Sequence, residues 1–285
     1  MSSTERPIRR RRQRWRGAAA VYLILTAGAA VTLGPFLLSL FTSLKTPRQF
    51  ASASALTAPL PPTVDNYLAL FGTEHDLARP IFVTLLVAGF TVITQLTFSV
   101  LAGYAFARLR FPGREQLFWV YLATMMVPGA VTIVPLYLIM VEAGLRDTFW
   151  GLALPGFLGS PYAIFLLRQY FRGISSELVD AARLDGASRI DVLVEIILPL
   201  SRPIIATLTL ITVVTEWNSF LWPLVITSGD TWRVLTVATA TLQSQYNGNW
   251  TVVMAATTIA VVPLLVLFVV FQRQIVRAIA IGPIR

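Results

Sequence analysis

Six apolar runs constrain this chain more than any other feature: about residues 17–41, 81–106, 117–141, 149–167, 203–226 and 251–271. Crossing a bilayer takes roughly 20 apolar residues in a helix, and each run is near or beyond that length. Inside hydrocarbon every backbone N–H and C=O must be satisfied within the protein, so the runs are expected to be helices. The expected fold class is all-α: a polytopic membrane protein with six transmembrane helices. Of the 285 residues, 55% are hydrophobic and 13% charged, with mean hydropathy +0.69, which is far from the make-up of a soluble domain.

The net charge of +9 raises nucleic acid as a partner, but the charges gather at the ends of apolar runs. With the N-terminus inside, the cytoplasmic side takes the seven arginines between Arg6 and Arg16, then Arg108, Arg110 and Arg114. It also takes Arg168, Arg172, Arg183, Arg189 and Arg202, and finally Arg273, Arg277 and Arg285. The other side takes only Lys45, Arg48, Arg79, Arg146 and Arg233. That asymmetry puts both termini in the cytoplasm. The implied organisation is a basic tail at 1–16, a transmembrane domain at 17–272 and a second tail at 273–285. The segment "RPIRRRRQRWRG" before the first run resembles the start of a signal peptide, but the run is longer than a signal's apolar core. A retained helix is expected, with a cleaved signal as the alternative.

Cysteine is absent and histidine occurs once, at His75. Disulfides, cysteine nucleophiles and zinc sites are excluded together. His75, between Glu74 and Asp76 in the long outer loop 42–80, reads as a solvated loop residue. Within that loop Tyr67 and Phe71 argue for packing over disorder. The one lysine, Lys45, lies outside any glycine-rich phosphate loop. ATP hydrolysis, if the system uses it, belongs to another chain, and no catalytic constellation is visible.

One stretch breaks the apolar pattern, "ISSELVDAARLDGASRIDVLVEIILPLSRP" from Ile174 to Pro203, on the side assigned to the cytoplasm. Ser175 or Ser176 can cap a helix, with Glu177 and Asp180 in its first turn. Leu178, Ala181 and Ala182 share a face. Gly186 falls where a left-handed helix terminator is expected, and "SRID" has the pattern of a capping box opening a second helix. That helix is expected to carry Ile190, Leu193, Val194 and Ile197 on one apolar face and to stop near Pro199. A helix–glycine–helix of this kind suits a docking element. The alternative, a helix lying on lipid headgroups, fits its acidic residues less well.

"DAARLDGASRIDVLVEIILPL" resembles the EAA loop of ABC importer permeases. Ala181, Ala182, Asp185, Gly186, Ala187, Ile196, Leu198 and Pro199 match it, while Asp180 replaces the usual Glu and Leu193 the usual Phe. The segments "PLPPTVDNYLALF", "AGYAFARLRFPGREQLF", "MMVPGAVTIVPLYLIMVEAGLRDTFWGLALP", "IFLLRQYFRGIS" and "EWNSFLWPL" are similar to carbohydrate-importer permeases of the maltose-transporter type. Val83-Thr84 and the terminal "AIAIGPIR" depart from the family pattern. The resemblance implies a type I ABC importer permease fold in the bacterial cytoplasmic membrane. It implies ATPase coupling through Asp180, Ala181, Ala182, Asp185, Gly186, Ala187, Leu193 and Pro199. The implied partners are a second, homologous permease, two ABC ATPase subunits, an extracytoplasmic substrate-binding protein and membrane lipids, without nucleic acid. No cofactor is expected on this chain, with ATP and Mg on the ATPase.

A substrate path has candidates of its own. Pro128 and Gly129 interrupt the third run near mid-membrane, where freed backbone groups must line protein or a cavity; a plain proline kink is the alternative. Glu216 lies deep in the fifth run, where a carboxylate is expected to face the interior. Asn218 could bond sugar hydroxyls, and Trp217 or Trp222 could stack on a sugar face. A binding-protein-dependent sugar importer is the expected function. An ion-coupled secondary transporter is the main alternative, though such chains carry more intramembrane ionisable groups and repeats. ABC importers of glycerol phosphate, peptides or amino acids remain open. A membrane enzyme or scaffold lacks the residues it would need.

Overall fold

The computed structural model describes residues 6–52, 54, 56–72, 75–245 and 249–280, with backbone alone at 6–20, 244–245 and 273–280. Glu74 and the last five residues of the second tail lie outside the described residues. Helix α1 spans Arg6–Ser43, α2 Pro47–Ser52, α3 Asp65–Leu70 and α4 Ala78–Arg108. Next come α5, Arg114–Ala123, and α6, Gly129–Glu142. They are followed by α7, Phe149–Ala153, α8, Pro161–Gly173, and α9, Ser176–Leu184. After these come α10, Arg189–Asp191, a π turn at Val192–Ile197, and α11, Leu198–Leu200. The chain then forms α12, Arg202–Trp217, α13, Leu221–Ile226, α14, Leu235–Gln245, and α15, Trp250–Ala280. No strand occurs among the described residues.

Among the described residues four helices are long and apolar enough to cross a membrane, or up to six if each of two bent pairs counts as one span. Runs one, two and six of the sequence fall inside α1, α4 and α15. The third run is not one straight helix, because α5 and α6 meet at a bend of 100°. Pro128 is the cause: it has no N–H, and it forces Val127 into extended backbone, ψ 117°. The second bent pair joins Arg189–Leu200 to Arg202–Trp217 at 78°; separately, the fifth run is interrupted after Trp217, where Asn218 caps α12 before α13 begins.

The contacts gather into two compact units, one made of the residues up to His75 with Gln243–Ile259, the other of Asp76–Leu242 with the residues from Ala260 onward. In the first, the long loop is pinned by polar groups. Lys45 is 1% exposed, and its ammonium donates to the Ser54 carbonyl and the Thr57 hydroxyl. The Asn66 amide donates to the carbonyls of Ser43 and Lys45, and Thr251 donates back to its oxygen. Tyr67 bonds Ser43 at 2.6 Å, whereas Phe71 is exposed. His75 is half-buried rather than fully solvated.

In the second unit α4 is the central post. Gly103 lets α8 approach so closely that a β-carbon there would lie 2.8 Å from Leu167 Cβ. Gly159 does the same against the backbone of Phe98 and Ser99. Phe106, Phe118 and Ile164 close one small core; Val83, Val87, Met140, Leu152 and Ile226 form another.

Candidate functional site: a clamped helical segment and a cavity lined by Glu216

The charged segment folds as its caps dictate. The Ser175 hydroxyl accepts from the Glu177 N–H at 3.1 Å and opens α9. Gly186, at φ +90°, closes it, with the Ala187 N–H reaching the Ala182 carbonyl at 2.9 Å. Ser188 and Asp191 then form a reciprocal capping box, at 2.8 and 3.2 Å. Pro199 has no N–H for the Glu195 carbonyl, so regular α spacing cannot run through it.

Burial sorts the apolar residues differently from the sequence pattern. Leu193 and Ile197 are buried, but Ile190 and Val194 are 71% and 52% exposed. The π turn changes the angular spacing, so the expected single face splits into an inward pair and an outward pair. Val179, Val192, Leu193 and Ile197 pack with Tyr104, Leu167, Phe171 and Leu208. Leu193, expected in the coupling set, is therefore a core residue. Asp180, Ala181, Asp185, Gly186 and Pro199 are exposed, and Ala182 and Ala187 are half-buried. Leu178 and Leu184 also stand in the open, Leu184 at 89%.

Polar contacts anchor this segment and brace α8, on which it rests. The Tyr104 hydroxyl donates to the Arg189 carbonyl at 2.9 Å. Arg108 donates to the carbonyls of Phe171 and Ile174 at the end of α8. Arg168, only 3% exposed, reaches both carboxylate oxygens of Glu115 at 2.6 Å and lies 3.7 Å over the Phe118 ring. Arg114 and Arg172 also contact Glu115, at 3.1 and 3.3 Å. The result is a short segment seated firmly on α4 and α8, with apolar side chains facing away from its own core.

The second feature is a cavity of about 300 Å³ in which Gly129 and Glu216 come together. Thr84, Thr91, Thr132 and Ser219 add polar groups, and Val87, Ile133, Leu136 and Trp222 give apolar wall. The Thr84 and Thr132 hydroxyls donate to helix carbonyls, and the Trp222 N–H donates to the Gly151 carbonyl at 3.0 Å. The Thr91 hydroxyl is buried without a hydrogen-bond partner. Carboxylate, hydroxyl and indole around one hollow suit a hydroxyl-rich solute, with polar groups to orient it and an apolar wall to pack on.

Of the other path candidates, Pro128 makes the bend but is not in the lining. Trp217 is 5% exposed and donates to the Ala260 carbonyl at 2.9 Å, so it is part of the packing and cannot stack on a solute in this cavity. Asn218 is exposed, with its amide on the Val214 carbonyl at 2.8 Å. The threonines were missed. Thr84, Val87, Ala88 and Thr91 recur at i, i+3, i+4 and i+7, one face of α4 on which the two threonines place hydroxyls at the cavity. Among the described residues no cluster of side chains could hold a metal ion.

The family described as binding-protein-dependent transport system inner membrane component matches residues 95–281. The arabinooligosaccharides transport system permease protein AraQ of Halalkalibacterium halodurans is 32% identical over 228 residues, covering 78% of this chain and 80% of the relative. The sn-glycerol-3-phosphate transport system permease protein UgpE of Brucella abortus is 31% identical over 266 residues, covering 90% and 94%. Among solved structures, a bacterial ABC transporter involved in the import of the acidic polysaccharide alginate contains a chain with a TM-score of 0.83 and 25% identity, covering 92% of this chain and 97% of that one.

Proposed function

We propose a function for this chain from one premise: it belongs to the family of binding-protein-dependent transport system inner membrane components. It is a transport permease of the inner membrane and not an enzyme. We read it as one of two related permease chains that together enclose the path of an ATP-driven sugar importer. In this reading residues 17–272 form six spans, with α5 and α6 counted as one and α12 and α13 as another, and the tails 1–16 and 273–285 lie in the cytoplasm. Two ATPase subunits carry ATP and Mg. An extracytoplasmic binding protein delivers the solute.

The observation that carries the coupling role is the build of residues 174–200. Asp180, Ala181, Asp185 and Gly186 stand exposed on a segment whose other side is locked to α4 and α8. A rigid segment transmits a partner's displacement to the helices it is clamped to; a loose one absorbs it. The exposed Leu178 and Ala181 offer a flat apolar contact for an ATPase groove. Ala182, Ala187, Leu193 and Pro199 keep that geometry in place.

The solute is proposed to be a carbohydrate or a related polyol, in line with the named relatives and with the carboxylate, hydroxyls and indole of the cavity. Glu216 and Gly129 are its proposed contacts in this chain. Pro128 acts by opening the bend, and Trp217 and Asn218 by holding α12.

The test is to purify the chain gently from its native membrane and identify what accompanies it. An ABC ATPase and a second permease should co-purify and should be lost when Gly186 is replaced by valine. Uptake of arabino-oligosaccharide, alginate oligosaccharide and glycerol 3-phosphate, each with its binding protein, then ranks the solutes. A chain that arrives alone, with uptake indifferent to ATP depletion, would replace this reading with an ion-coupled transporter.

A further inference from the structure

A cleft of about 740 Å³ opens where the end of α4 meets α9, and of its charged residues the coupling reading uses only Asp180 as a contact. Its walls carry Arg108, Arg110, Arg114, Arg183 and Arg189 against one carboxylate, Asp180. Five guanidinium groups around one hollow repel one another unless an anion enters. Three have partners. Arg108 is held on backbone carbonyls, Arg114 on the Leu109 carbonyl and Glu115, and Arg183 lies 3.7 Å from Asp180 with both side chains largely exposed. The Arg110 and Arg189 side chains make no hydrogen bond or ion pair among the described residues, and both residues are exposed.

We propose that this cleft binds a phosphate-bearing anion, in the first place the headgroup of an anionic phospholipid of the cytoplasmic leaflet. Guanidinium groups match phosphate oxygens two at a time. Basic pockets at the cytoplasmic ends of membrane helices are where such headgroups settle. The volume is ample for a glycerophosphate group. Free inorganic phosphate shares the chemistry and is the second possible source.

The helix geometry adds a consequence. Ser176, Val179, Asp180 and Arg183 face the cleft at i, i+3, i+4 and i+7, one side of α9. Leu178 and Ala181 lie on the opposite side. An anion in the cleft therefore ties α9 to the end of α4 while leaving Leu178 and Ala181 free for the ATPase. It acts as a clamp on the segment that carries motion, and membrane composition thereby tunes coupling. This consequence rests on the coupling reading above; the binding site itself does not.

The transporter, with whatever subunits co-purify, is placed in nanodiscs of phosphatidylcholine alone or mixed with phosphatidylglycerol. Wild type is compared with Arg110→Gln/Arg189→Gln and Arg110→Lys/Arg189→Lys. Phosphatidylglycerol is expected to raise the wild-type unfolding midpoint by several degrees, and native mass spectrometry should show retained lipid. The glutamine pair should lose most of that shift and the lysine pair keep part of it. The N-terminal arginines also attract anionic lipid, but they are the same in all three proteins, so the difference isolates the cleft. Inorganic phosphate added to phosphatidylcholine discs separates the sources: the same shift in wild type alone identifies a free anion, and no shift identifies the headgroup. An equal lipid shift in the glutamine pair and wild type overturns the proposal. So does a glutamine pair that keeps the lipid shift but sheds the ATPase, since the cleft would then receive an acidic protein surface. If wild type brings no ATPase at all, the transport reading fails, yet the lipid comparison still decides the cleft.

Discussion

Tyr104 and Arg189 are joined by a hydrogen bond of 2.9 Å from the phenol to the backbone carbonyl. The Tyr104 ring is 5% exposed, and the part-buried bond links the last turns of α4 to the start of the second capped helix. With the Arg108 bond to the Ile174 carbonyl, it ties a long membrane helix directly to the proposed coupling segment. Replacing Tyr104 by phenylalanine keeps the ring and removes the donor, at about 1 kcal/mol for a typical buried hydrogen bond. The ATPase should still co-purify. Solute moved per ATP, measured in proteoliposomes with the binding protein, should fall a few-fold. Unchanged transport per ATP would mean that apolar packing alone carries the motion.

Gly186 has φ +90°, and nothing lies within 4 Å of where a β-carbon would sit. A substitution there is strained by backbone conformation and not by crowding. Gly186→Ala is expected to cost about 1–2 kcal/mol locally. Because the cost falls on the turn, the unfolding midpoint should move little, while ATPase retention on a size-exclusion column should drop several-fold. Gly186→Asn, which tolerates left-handed backbone better, should fall between the two.

The caps of the charged segment were legible because each is a local rule. Ser188 with Asp191 three residues on, a glycine after a helix, and a proline at a helix end each act over a few residues. The split of Ile190 and Val194 from Leu193 and Ile197 was not legible, because it depends on a π turn that helical spacing alone does not announce. The bend at Pro128 could be read from proline's missing N–H. Its size, and the choice of Gly129 over Pro128 as cavity lining, depend on how α4, α6 and α12 converge. Trp217 and Asn218 are harder to place from sequence because indole and amide groups serve packing as readily as recognition; in the structure they bond the carbonyls of Ala260 and Val214.

Glu115 gathers three arginines, and one of them, Arg168, is almost wholly buried. Removing the carboxylate strands that guanidinium on the Phe106 carbonyl and the Phe118 ring. An uncompensated buried charge is worse than no charge. Glu115→Gln should therefore lower the unfolding midpoint in detergent. The double change Glu115→Gln/Arg168→Met should recover part of the loss, because methionine fills the site without a charge to satisfy. If the double variant is less stable than the single, Arg168 stabilises through contacts that do not need Glu115.

Glu216 and Trp217 are neighbours with opposite assignments, and that makes them separable. Glu216 lines the cavity with Gly129 and Thr91, so Glu216→Gln should change solute handling while leaving the fold intact. Its expected signature is uptake reduced several-fold at saturating binding protein, with an unfolding midpoint near wild type. Trp217→Phe removes an indole N–H from the Ala260 carbonyl and leaves a gap in a buried site. It should destabilise by about 1–3 kcal/mol and lower the amount of assembled transporter, with the solute preference of the remainder unchanged. Uptake normalised to assembled complex distinguishes the two. A Trp217→Phe variant with altered preference among arabino-oligosaccharide, alginate oligosaccharide and glycerol 3-phosphate would return the indole to the solute path, and an indifferent Glu216→Gln would remove the carboxylate from it.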